Sequence, residues 1–111
     1  MKNNIRIISH GDGDLVDHRG EVFGVANPAN LPLMVLVFAR DNKWYYQALP
    51  ERHGHAWRAT VYFGTEDSPS GSIYCIAVVN MPNSPKPPGP ALESLPESGD
   101  AGTCLVDVVR R

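Results

Sequence analysis

The chain is predicted to be all-β, an antiparallel sandwich of about seven strands. Three observations predict it. Runs of five to nine residues rich in Val, Ile, Tyr, Phe and Trp recur along the 111 residues, and such side chains suit a pleated, half-buried surface. Clusters of Gly, Asn, Asp and Pro separate the runs about every ten to twelve residues, a spacing typical of sandwiches rather than of βαβ units. No apolar period of 3.6 residues persists over a helical length.

Taken in order, the strands are IRIIS (5–9), EVFGVA (21–26), LMVLVFAR (33–40), WYYQA (44–48), WRATVYFG (57–64), SIYCIAVVN (72–80) and CLVDVVR (104–110). The fifth alternates most cleanly. Trp57, Ala59, Val61 and Phe63 share one face, and Arg58, Thr60 and Tyr62 the other. The third and sixth are apolar on both faces. Turns are expected at HGDGD, DHRG, ANPANLP, RDNK, ERHGH and TEDSPSG. Residues 81–102 carry six of the ten prolines and read as a long surface connection before the last strand, with a single helical turn expected at Ala91–Leu95.

Composition bounds the function. One domain spanning 1–111 fits the length. Apolar residues form 42% of the chain, enough for a core. The net charge of −2 argues against a nucleic-acid binder, which needs a basic face to neutralise phosphates. It gives no attraction to anionic membranes, and no apolar run is long enough to span one. No signal peptide is visible at MKNNIRIISHGDGD, so the expectation is a cytoplasmic chain. Cys75 and Cys104 are too few for a disulfide scaffold and are read as free thiols, although a bridge between neighbouring strands stays open.

The opening and middle segments are similar to bacterial immunoglobulin-like modules. Ile5, Ile7, Gly13, Val16, Val22 and Gly24 match an "I-x-I … x-G-x-x-V … V-x-G" opening. Tyr45, Tyr46, Gln47, Gly54, Trp57, Val61, Tyr62 and Gly64 resemble the "YYPQ … G-x-W … V-Y-x-G" pattern of an uncharacterised group of such domains. Trp57 lies one residue further from the glycine than usual, and the final VDVVRR resembles the closing strand. The resemblance implies an immunoglobulin-like sandwich used for recognition or spacing, with no catalytic residues carried over. No cysteine occupies 21–26, so the inter-sheet disulfide of antibody domains is missing. If the tyrosine pattern holds, Tyr74, Ile76 and Val78 point inward and Cys75 points out.

HGDGDLVDH (10–18) is the stretch closest to chemistry. His10, Asp12 and Asp14 alternate and would share a face of an extended strand. Zinc wants three or four ligands of His, Cys or carboxylate type in tetrahedral array, and Gly11 and Gly13 occupy the gaps where a further histidine usually lies. Calcium would need oxygen ligands at further positions and a distal glutamate. Both patterns are partial, whereas a turn uses every residue: glycines for positive φ, aspartates bonding back to the backbone, and Val16 dropping inward. His53 and His55 are likewise read as loop residues. No nucleophile motif or phosphate loop is present, and Glu66 and Asp67 lie in a turn. No catalytic residue, metal or cofactor is therefore expected.

The leading functional reading is a non-catalytic module that binds a protein partner or a second copy of itself. Its surface would be the outer face of the third and sixth strands, at Met34, Leu36, Phe38, Cys75 and Ala77. The competing reading of that face is burial beneath the 81–102 connection. A second reading is a lectin-like domain using Trp44, Tyr45 and Tyr46, whose flat rings and polar tips suit sugars. A third is a metal-dependent enzyme at His10, Asp12 and Asp14.

Overall fold

The structure, a computed structural model, describes residues 4–27, 29–30, 32–47, 49–80 and 103–111. The proline-rich connection and its expected helical turn lie outside the described residues. Within them are nine strands and no helix: β1 (Asn4–Ile7), β2 (Asp14–Val16), β3 (Arg19–Asn27), β4 (Leu33–Phe38), β5 (Trp44–Tyr46), β6 (Glu51–His53), β7 (Ala56–Tyr62), β8 (Ile73–Asn80) and β9 (Thr103–Arg110).

They form two sheets, β1-β3-β7-β6 and β2-β9-β8-β4-β5. This is a two-layer β-sandwich, in which β4–β5, β6–β7 and β8–β9 pair within a sheet and the chain crosses between layers elsewhere. Seven of the nine strands fall where the apolar runs predict. The other two, β2 and β6, were expected to be turns. Each has three residues, too few to display a period, and Glu51, Arg52 and His53 offer no apolar face. The sandwich also departs from purely antiparallel pairing, because β2 runs parallel to β9, with Leu15 opposite Val109.

HGDGD is the crossover between layers. The chain leaves β1 in one sheet and enters β2 in the other within seven residues. Gly13 takes φ +87°, a conformation open to glycine but strained for other residues. Its N–H donates to Asp107 O at 2.8 Å, and Asp14 N–H donates to Gly11 O at 3.1 Å. The β6–β7 hairpin turns on Gly54 and His55, with Gly54 at φ +61°, as a two-residue loop of this kind requires.

The core lies between the layers. Val22 and Ala26 of β3, Trp57, Ala59 and Val61 of β7, and Phe63 just beyond it face Leu33, Val35 and Val37 of β4, Tyr74, Ile76 and Val78 of β8, and Val106 and Val108 of β9. The alternation expected of WRATVYFG holds, as does the inward set of β8. Gly24 is required by close approach: a Cβ there would collide with the Arg6 carbonyl oxygen and the Trp57 ring. Arg110 is buried. Its Nη2 donates to the carbonyls of Thr65 (3.2 Å) and Ser68 (3.3 Å), tying the β7–β8 loop to the end of β9.

Candidate functional site

The two outer faces differ. On the four-stranded sheet, Glu21, Phe23, Arg58 and Glu51 point to solvent, and Arg58 donates to Glu51 at 2.9 Å. Apart from Phe23 and Tyr62 this is an ordinary polar surface. Register places an apolar set on the outer face of the five-stranded sheet: Met34, Leu36 and Phe38; Trp44 and Tyr46; Ile73, Cys75, Ala77 and Val79; and Leu15, Leu105 and Val109.

That face has a closed end and an open end, which corrects the expected patch. Met34, Leu36 and Ala77 are fully buried, as is Val79. Met34, Leu36 and Val79 form a second apolar cluster, against which Trp44 and Tyr46 pack from the neighbouring edge strand. The sequence shows the third strand to be apolar on both faces, but not that β5 turns its aromatics onto the same side. Phe38 and Cys75 are half-buried at the margin of the open end. The Phe38 ring packs against Trp44 in a tilted pair with centroids 4.9 Å apart, so Trp44 belongs to this face.

The open end carries residues not foreseen as a site. Leu15, Val109 and Ile73 form one continuous row across β2, β9 and β8. Leu15 is 56% exposed and Ile73 65%, and Leu105 on the same face is 54% exposed. The signal that could have found them is the apolar residue at alternate positions of β9 (Leu105, Val109), the same positions that include Asp107. Leu15 could be placed only after β2 was recognised as a strand.

Acidic groups border this row. Asp12 Oδ1 accepts from the Asp107 N–H at 2.9 Å, pinning the crossover to β9. Asp14 Oδ2 accepts from the Gly11 N–H at 2.8 Å. His10 Nδ1 lies 2.7 Å from Ser9 Oγ, and burial holds its pKa below the ordinary histidine value against the opposing charge of Asp14. His10, Asp12 and Asp14 are thus each engaged in shaping the turn. Among the described residues no group of three His, Cys, Asp or Glu side chains is arranged to hold a metal ion. His55 Nδ1 lies 3.0 Å from Ala26 O of β3.

Cys75 is a free thiol. Burial first, then the Asp107 carboxylate, push its pKa up to about 12, so little reactive thiolate exists near neutrality. Cys104 sits opposite Val78, three residues along β9 from the partner of Cys75.

A cleft of about 460 Å³ opens on the other side of β5, lined by Val37, Tyr45, Tyr46, Gln47, Tyr62 and Thr65 among others. Gln47 is buried at its base and joins the sheets. Its N–H donates to Val35 O at 2.9 Å, and its Oε1 accepts from the Tyr62 N–H at 2.9 Å. Tyr45 donates to Asp41 Oδ2, and that hydrogen bond raises the pKa of Tyr45. Tyr45 and Tyr46 therefore line one cleft together with Tyr62, which the sequence placed on the face of its strand away from Trp57, while Trp44 does not line it.

No protein-family model matches this sequence, and no curated protein matches it. No helix among the described residues is long and apolar enough to cross a membrane.

Proposed function

We propose that this chain is a non-catalytic protein-recognition module that works through the open end of its five-stranded sheet. The observation that carries the reading is the row Leu15–Val109–Ile73, exposed at Leu15 and Ile73, with exposed Leu105 further along β9 on the same face beyond Asp107. Isolated exposed apolar residues are common on soluble proteins, but contiguous ones mark contact surfaces. The contrast with the polar outer face of the opposite sheet strengthens it. The unreactive Cys75 and the structural use of His10, Asp12 and Asp14 fit a role in binding rather than chemistry. The test is a Leu15→Asp, Ile73→Asp double variant. It should unfold at the wild-type temperature yet lose association with the partner, or with a second copy. Association that persists in the folded variant would refute the reading.

The tyrosine cleft supports a second reading, ligand binding of the lectin-like kind. Its lining is uncharged and combines aromatic faces with hydroxyl and amide tips, a combination suited to flat, neutral, hydroxylated rings. Glycan-array binding should appear and should fall in a Tyr45→Ala, Tyr62→Ala variant. No binding by wild type, or binding unchanged in the variant, would remove this reading.

A further inference from the structure

From the charges around the exposed row, and resting on the protein-recognition reading above, we infer that the partner is a basic, amphipathic protein segment and not a second copy of this chain. Asp107 occupies the outer-face position of β9 between Leu105 and Val109 and is exposed. Asp12 is bonded to the backbone of Asp107 and is also exposed. The ion pairs formed among the described residues, Arg58–Glu51, Arg111–Asp17 and His18–Glu66, engage neither of these two carboxylates. A strip of negative charge, Asp107 and Asp12, unmatched by any ion pair among the described residues, thus runs beside the apolar row.

The chemistry that complements such a surface is apolar side chains alternating with Lys or Arg. Opposite charges at the rim of a contact speed encounter and select among partners, whereas like charges facing one another are penalised. A two-fold dimer through this row would bring the same acidic strip of both copies to one interface, because a two-fold contact pairs a patch with itself. The polar face of the other sheet, where Arg58 is matched by Glu51, has no such imbalance.

The experiment titrates the labelled full chain with two synthetic peptides, one alternating leucine with lysine and one alternating leucine with glutamate. Amide shifts in the protein are followed by NMR. The lysine peptide is expected to move the signals of Leu15, Ile73, Leu105 and Val109. Its affinity should fall roughly tenfold in Asp12→Asn, Asp107→Asn, the size expected for losing two rim charge pairs, and should fall with added salt. Glu21→Gln, Glu51→Gln removes the same charge from the opposite sheet and should change affinity less than about twofold. Equal binding of both peptides at this row would overturn the charge inference and leave the recognition face standing. Shifts absent from this row with both peptides would overturn both. A stable dimer whose interface contains Leu15 and Ile73 would overturn the choice of partner.

Discussion

Trp57 is almost wholly buried at the centre of β7, and its ring fills the space that Gly24 leaves free on β3. Its indole N–H has no hydrogen-bond partner among the described residues, so the ring contributes by packing. Trp57→Ala should lower the unfolding free energy by about 3–5 kcal/mol, the usual cost of emptying a large aromatic site, and Trp57→Phe by clearly less, read by urea titration. Gly24→Ala should cost about 1–3 kcal/mol through overpacking, whereas Gly20→Ala, with open space around its Cβ, should leave stability nearly unchanged. Cys75 gives a pH signature. Its folded pKa of about 12 lies above its ordinary value of 9.0, so its contribution is complete below pH ~9. It fades as pH rises from there towards 12, because the unfolded chain loses the proton first. Cys75→Ala should flatten the alkaline side of a stability–pH curve; an unchanged slope would show that other groups set it.

The edge strands are short. β2, β5 and β6 have three residues each and β1 has four, which leaves little template for edge-to-edge pairing. Recognition is therefore assigned to a face rather than to an edge. Two polar links hold these short strands in place. Asp12→Ala removes the acceptor for the Asp107 N–H and should accelerate hydrogen exchange at that amide, with the β3 and β7 amides unaffected. Gln47→Ala leaves the Tyr62 N–H without its 2.9 Å acceptor and should cost about 1–3 kcal/mol, the range for a buried group deprived of its partner. The exposed surfaces of Tyr45 and Tyr62 should also change their fluorescence quenching. An unaltered denaturation midpoint would show that water replaces the amide at no cost.

For the molecule as a whole, the layers were legible because burial writes itself into the sequence. The alternation in WRATVYFG, the double-sided LMVLVF and the tyrosine-led YCIAVV each report a strand whose faces meet core. β2 and β6 were not legible, because three residues carry no period and their pairing is decided by backbone bonds to β9 and β7. The site was read half correctly. The outer face of β4 and β8 was identified as apolar, but its exposure depends on which side chains neighbouring strands lay over it. Tyr46 and Trp44 pack against Met34 and Leu36, while nothing in local sequence says that Leu15 will reach Val109 through a parallel pairing. Long-range register, not local pattern, therefore chooses the part of the face that stays open.

The measurement that tests the recognition face most directly is hydroxyl-radical footprinting of the chain, isolated and in an extract of its native cell. Leu15, Ile73 and Leu105 should be oxidised in the isolated chain and Met34 and Leu36 protected, and the first three should lose their labelling in the extract while Phe23 on the opposite sheet keeps it. Labelling of Leu15, Ile73 and Leu105 that is the same in both settings, or Met34 oxidised as readily as Ile73 in the isolated chain, would contradict the account.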